Sequence, residues 1–269
     1  MANPSREMFV EQTAEAAAGL TSRFVKEVIG QAVADRGFCY LALAGGTTPR
    51  GLYLRLAADG VSGDVPWQNV HVFFGDERDV PQDHVESNFL MAQRTLLDHV
   101  PIQLPHVHPM PADQEDLDAA ARSYEQRIAE IVPTENHVPR FDLILLGMGA
   151  DGHTASLFPQ TDAVRESERL VVSYFVPVLG RRRMTFTYPL INAARNVVLL
   201  VTGSDKSAAI ARLIGETPED PFDLPSAGVS PTEGRLLLIL DTAAARETGL
   251  AAQPPRRRRE DLLGESAAT

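Results

Sequence analysis

Apolar residues follow two rhythms along this chain. Ala17, Leu20, Phe24, Val28 and Ala32 recur at helical spacing, which predicts one long helix over residues 6–35 with Gly37 as its stop. Phe38 to Ala44 is instead an unbroken apolar run of strand length. Continuous rather than alternating hydrophobicity marks a strand covered on both faces, as in a parallel sheet. Gly45-Gly46-Thr47-Thr48-Pro49 follows at once, and Pro49 suits the first turn of a helix that continues through Leu52, Leu54 and Leu56.

The alternation then repeats. Val70–Phe74 reads as a strand, Gly75-Asp76-Glu77-Arg78 as a polar loop, and Ser87 as the cap of a helix running to about Leu97. A helix is expected over residues 113–131. Phe141–Leu146 is a further buried strand, ending in Gly147-Met148-Gly149-Ala150-Asp151-Gly152-His153. Weaker strands are expected near Leu170–Phe175 and Met184–Tyr188, and strong ones at Asn196–Val201 and Arg235–Leu240. Ser204 is read as capping a helix over 205–214, and residues 215–234 as a long surface loop. Strands alternating with helices predict an α/β fold: a doubly wound, mostly parallel sheet with helices on both faces.

Length narrows this picture. With 269 residues and no linker long enough to force a boundary, the expectation is a single α/β domain over residues 1–250. Residues 251–269, with Pro254-Pro255 and four consecutive arginines at 256–259, read as a solvated, disordered tail. The 25 Lys plus Arg against 36 Asp plus Glu leave a charge of −11, which counts against nucleic acid as a partner. No apolar run approaches the roughly 20 residues that span a bilayer, and Met1 to Glu15 lacks the pattern of a secretory signal. The one cysteine, Cys39, lies in an apolar run and reads as a buried, inert thiol; its being alone fits a reducing, cytoplasmic setting.

Candidate chemistry collects where strands end, because ligands of doubly wound sheets bind beyond the carboxyl ends of the strands. Gly45, Gly46, Thr47 and Thr48 combine a close-approach backbone, two hydroxyls and a helix N-terminus, which together read as a phosphate cradle. The cradle lacks the lysine of a nucleoside-triphosphate loop. Gly147 to Gly152 matches the G-x-G-x-x-G dinucleotide fingerprint, but His153-Thr154 and Pro159 follow it, and no strand ends in an acid about 20 residues on to hold a ribose. Of seven histidines, none pairs into a metal-ligand spacing, so no metal is expected. His71 reads as a packing residue, and His84, His99, His106, His108 and His137 read as surface residues. His153 differs: it follows a strand-terminal glycine loop, two residues from Asp151, and an imidazole with a pKa of about 6.5 is a suitable general base. Arg181-Arg182-Arg183 precedes a strand and Lys206 opens a helix, where the dipole disfavours a cation unless an anion is near.

These segments together resemble the 6-phosphogluconolactonases, in the superfamily that also holds glucosamine-6-phosphate deaminase. The likeness rests on Leu41 to Pro49, Phe73 to Arg78, Ser87-Asn88, Leu145 to Pro159, Arg183 to Thr187, Asn192 to Arg195 and Thr202 to Lys206, and runs from about residue 6 to about 248. It implies a Rossmann-like sheet without a nicotinamide site or other cofactor. It implies hydrolysis of 6-phospho-D-glucono-1,5-lactone to 6-phosphogluconate, the second step of the oxidative pentose phosphate pathway. His153 would be the base that activates water, Asp151 would orient it, Asp76 would contact sugar hydroxyls, and phosphate would fall to the Gly46-Thr47-Thr48 loop, Arg78, Arg183 and Lys206. The expected partner is a small sugar phosphate lactone, with no membrane, and the chain is expected as a monomer or weak oligomer.

The deaminase branch is the near rival. It carries a glutamate in an Asn-Glu-Pro ending, where this chain has Leu157-Phe158-Pro159, and Asp-Glu-Tyr where this chain has Asp76-Glu77-Arg78. A non-catalytic sugar-phosphate sensor on the same fold is the alternative of a different class; the presence of both His153 and Asp151 favours an enzyme.

Overall fold

In the computed structural model, which describes residues 6–60, 65–215 and 217–250, the chain begins with β1 (Arg6–Glu11), α1 (Ala14–Arg36), β2 (Cys39–Leu43) and α2 (Thr47–Gly60). There follow β3 (Val70–Phe74), β4 (Asp76–Arg78), α3 (Asn88–Thr95), α4 (Leu117–Ile131), β5 (Thr134–Glu135), β6 (Val138–Pro139) and β7 (Leu143–Leu146). The remaining elements are β8 (Val171–Val176), β9 (Arg181–Phe186), α5 (Tyr188–Ile191), β10 (Asn196–Val201), α6 (Ser207–Leu213) and β11 (Arg235–Asp241).

Six strands form one sheet in the order β1-β11-β10-β7-β2-β3, and every neighbouring pair is parallel. The unbroken apolar runs are its centre: Leu41, Leu43, Leu143, Ile144, Val198 and Leu199 are buried, as strands covered on both faces require. Helix α1 packs on α2 and against β2, β10 and β11, and α2 packs in turn on α3. From β2 the chain steps to β3 on one side, while β7 lies on the other side of β2, so the strand order reverses between β2 and β7. That reversal opens a crevice at the carboxyl ends of those strands. A second sheet, β4-β9-β8, is antiparallel and carries α4 on β8. No described helix is long and apolar enough to cross a membrane.

The α/β class, the parallel sheet and the flanking helices agree with expectation. Several local readings do not. Residues 6–11 are not the start of the first helix but an edge strand paired with β11 from Arg6↔Leu236 to Glu11↔Asp241. The helical stripe begins only at Ala17, and Thr13 starts the helix by accepting the Ala16 N–H at 3.1 Å. Gly37 ends it in the left-handed region, φ 82°. The segment Asp76–Arg78 is strand, not loop, because it pairs with Thr185, Met184 and Arg183 of β9. The Arg181–Arg183 run lies within β9 rather than before it. The helix expected over 113–131 starts at Leu117, capped by Asp116, whose side chain accepts the Ala119 N–H. Ser204 caps nothing: it opens a short 3₁₀ turn, and α6 begins at Ser207. Within residues 215–234, Leu224, Ser226 and Val229 are buried, so the second half of that loop belongs to the packed body. The tail expected from residue 251 lies outside the described residues.

Candidate active site

Backbone geometry comes first. Strand β2 ends at Leu43, and both backbone groups of Ala44 are held by the hydroxyl of the buried Tyr53 on α2, which donates to the carbonyl at 2.7 Å and accepts the N–H at 2.9 Å. The chain then turns through Gly46, φ 98°, into α2, whose first residues are Thr47 and Thr48. Such a conformation favours glycine. A helix N-terminus thus faces the crevice beside two hydroxyls, an arrangement that attracts anions. Thr48 shares a 2.8 Å hydrogen bond with Thr202 beyond β10.

Beyond β7, the Gly147–Gly152 loop folds on itself. The N–H of Gly149 donates to the His153 carbonyl at 2.8 Å, and that of Gly152 donates to the Gly149 carbonyl at 3.0 Å. Both amides are thus spent inside the turn. A Cβ on Gly149 would overlap the His153 ring and the Asp151 carboxylate, so a larger residue there would have to displace them. His153 Nδ1 lies 2.6 Å from Asp151 Oδ1, which also accepts the His153 N–H at 3.1 Å. A carboxylate only accepts, so the neutral imidazole carries its proton on Nδ1 and leaves Nε2 as a base. Burial pushes the Asp151 carboxyl up, but the hydrogen bonds and charge of His153 outweigh that and hold it below the usual carboxylate range.

Strand β4 brings in the second sheet. Asp76 is buried, and its Oδ2 accepts from Ser156 Oγ at 2.7 Å while Asn88 Nδ2 reaches its carbonyl at 2.9 Å. Glu77, 2% exposed, points the other way. Its Oε1 accepts the N–H groups of Arg78 and Asn88, both at 2.8 Å, and its Oε2 accepts from Phe89 N at 2.9 Å and Ser87 Oγ at 3.1 Å. Burial raises its pKa despite those donors.

Arg183 faces Arg78 across the β4–β9 pair. Arg181 is bound to Glu86 at 2.6 Å and Arg182 to Asp79 at 2.9 Å, whereas Arg183 donates to the Arg182 carbonyl at 2.9 Å and lines the cavity. Burial, then the charge of Arg78, lowers its pKa. Arg78 donates to the Glu86 carbonyl. Lys206 is at the end of the 3₁₀ turn, and the nearby anion that its position calls for is Asp205, 2.9 Å away.

One cavity of about 360 Å³ is lined by Gly45, Gly46, Thr47, Thr48, Asp76, Arg78, His153, Arg183 and Lys206 together. Three distant segments of sequence therefore meet as expected. Asp151 is not on the wall and reaches the cavity through His153. Sequence reasoning missed Ser156, Asn88, Tyr53 and Glu77: Ser156 meets Asp76 from 80 positions away, and the other three bond neighbours through turns that no local pattern announces. Asn88 had a local signal for its position alone, as the first residue of a Ser-capped helix.

The other histidines need one correction. His108 is buried, not superficial: its Nε2 lies 3.1 Å from His71 Nδ1, and His106 stacks on His71 with ring centroids 4.0 Å apart. Burial, reinforced by the neighbouring imidazoles and Arg127, pushes His71 and His108 each down to about 4.

Comparison with known proteins shows which family the chain resembles. The family model for glucosamine-6-phosphate isomerases/6-phosphogluconolactonase matches residues 11–238. The 6-phosphogluconolactonase of Synechocystis sp. is 44% identical over 218 residues, covering 80% of this chain and 87% of that one. That of Mycobacterium tuberculosis is 44% identical over 223 residues, covering 81% and 89%. The solved structure of 6-phosphogluconolactonase from Trypanosoma brucei superposes with a TM-score of 0.80 at 28% identity, over 90% of this chain and 98% of that one. With a match of this extent, the chain belongs to the glucosamine-6-phosphate isomerase/6-phosphogluconolactonase family.

Proposed function

We propose that this site hydrolyses 6-phospho-D-glucono-1,5-lactone to 6-phosphogluconate with His153 as the base. The observation that carries the reading is the meeting, in one cavity, of an Asp-oriented imidazole with an anion cradle and cationic side chains. The names of the relatives supply the substrate.

The phosphate is held by the α2 N-terminus with Gly45, Gly46, Thr47 and Thr48, and by Arg78, Arg183 and Lys206. Binding at that remote group fixes C1 within reach of His153. Nε2 takes a proton from water as the water oxygen bonds to C1, and Asp151 stabilises the imidazolium that results. The tetrahedral oxyanion then collapses, the bond from C1 to the ring oxygen breaks, and the imidazolium returns its proton to that oxygen. The amides of Gly149 and Gly152 are already donated within their loop, so stabilisation of the oxyanion falls to other donors. Asp76 accepts from sugar hydroxyls. No metal or cofactor takes part. The reading includes a cytoplasmic setting, which the buried Cys39 thiol suits, and a monomer or weak oligomer.

His153→Ala tests it. In an assay corrected for spontaneous opening of the lactone, turnover should fall by about 10²–10⁴-fold, with binding of 6-phosphogluconate retained. Near-wild-type turnover would remove His153 as the base. Deamination of glucosamine-6-phosphate by the unaltered protein would favour the other branch of the family.

A further inference from the structure

We infer that Phe158 is a positioning residue that sets the plane of the His153 imidazole; this rests on the reading of His153 as the base. A hydrogen bond at Nδ1 restrains the ring only as firmly as the half-exposed Asp151 side chain is itself held, and the terminal torsion of histidine has broad minima. The bond to Asp151 therefore restrains the ring loosely, and something else must hold the plane.

That something is a flat face. The Phe158 ring lies against the imidazole with centroids 4.2 Å apart and planes 25° from parallel. An offset, nearly parallel pair of this kind has its own attraction and admits few ring orientations. Phe158 is buried and lines the same cavity. Gly149 backs the Nδ1–Cε1 edge so closely that a Cβ there would overlap it. The imidazole is thus fixed at a point by Asp151, along an edge by Gly149 and over a face by Phe158. Among the described residues Nε2 has no hydrogen-bond partner.

The chain works to deliver that ring. After His153 it makes a tight turn in which Leu157 N–H donates to the Thr154 carbonyl at 2.9 Å. Ala155 sits in the left-handed region of that turn, φ 47°, a conformation that a non-glycine residue adopts rarely. The turn brings position 158 back over position 153. Phe158 is then clamped from outside the turn: its N–H donates to Tyr174 Oη at 3.3 Å, and its carbonyl accepts from Thr161 Oγ1 at 2.7 Å. Tyr174 Oη in turn donates to the Ser156 carbonyl at 2.5 Å. A mere filler of the cavity wall would need neither the turn nor the clamp.

The test compares Phe158→Leu, which keeps an apolar side chain but loses the flat face, with Phe158→Tyr, which keeps the face. Phe158→Leu should lower kcat about tenfold with KM within about twofold of wild type. Phe158→Tyr should hold kcat within about twofold. The ring current of Phe158 should shift the His153 Cε1–H resonance upfield in the wild type and in Phe158→Tyr, and that shift should vanish in Phe158→Leu. Should Phe158→Leu fail to fold, judged by its melting transition, Phe158→Met carries the same comparison. Wild-type kcat in the Leu or Met variant, an equal fall in the Leu and Tyr variants, or a rise in KM alone would each overturn the inference. His153→Ala is measured beside them. If it stays active, the base assignment is what fails; if it is inactive while Phe158→Leu is unimpaired, only the role of Phe158 is lost.

Discussion

Gly149 has room for a hydrogen atom and nothing more, because a Cβ would enter the space of both His153 and Asp151. Gly149→Ala should therefore cost catalysis before it costs folding: we expect kcat to fall by about 10²-fold, as a displaced base would produce, with the melting temperature lowered far less. A wild-type rate in a steady-state assay would show that the imidazole tolerates displacement. The arginines separate by their partners. Arg183→Ala and Lys206→Ala should each raise KM about tenfold or more with a smaller change in kcat, since both side chains face the proposed phosphate. Arg181→Ala, already tied to Glu86, should leave KM within about twofold; initial-rate kinetics across the three variants decide the placement. The Gly45–Thr48 turn and the Gly147–His153 loop could be placed at strand ends from the sequence, because each follows an unbroken apolar run. Tyr53, Asn88 and Ser156 were not legible, because nothing local says that Tyr53 will grip Ala44 or that Ser156 will meet Asp76 from 80 positions away.

Among the elements, β4 is the joint between the two sheets. It follows β3 after a single residue, pairs with β9, and sends Glu77 into the first turn of α3. A carboxylate at a helix N-terminus satisfies amides that would otherwise be orphaned. Glu77→Ala would leave the amides of Arg78, Asn88 and Phe89 without that acceptor, and should reduce the unfolding free energy by about 3 kcal/mol in urea titration. A loss under about 1 kcal/mol would mean that water replaces the carboxylate. Strands β2, β3, β7, β10 and β11 could be read in advance, since burial on both faces leaves an apolar run. β1 and β4 could not: each owes its conformation to a partner more than 100 residues distant, and one of them is only three residues long.

For the molecule as a whole, the stacked histidines predict how stability responds to acid. His71 and His108 titrate near 4 in the folded protein and near 6.5 when unfolded. Between those values the unfolded chain binds more protons than the folded one, so stability is full above about pH 6.5 and declines as pH falls toward about 4. His71→Phe with His108→Phe should flatten the rise of the urea midpoint between pH 4 and 6.5; an unchanged slope would assign the acid sensitivity to other groups. The scale of the whole chain also governs assembly of the sheet. Among the described strands β1 has one neighbour, β11, and β11 is the last of them in sequence. Met8, Phe9 and Val10 are synthesised 230 residues before their pairing partners, Leu238, Ile239 and Leu240. Until β11 is made, the apolar run Met8–Val10 waits without its mate, and a nascent chain halted before β11 exposes that edge to chaperones and to other chains.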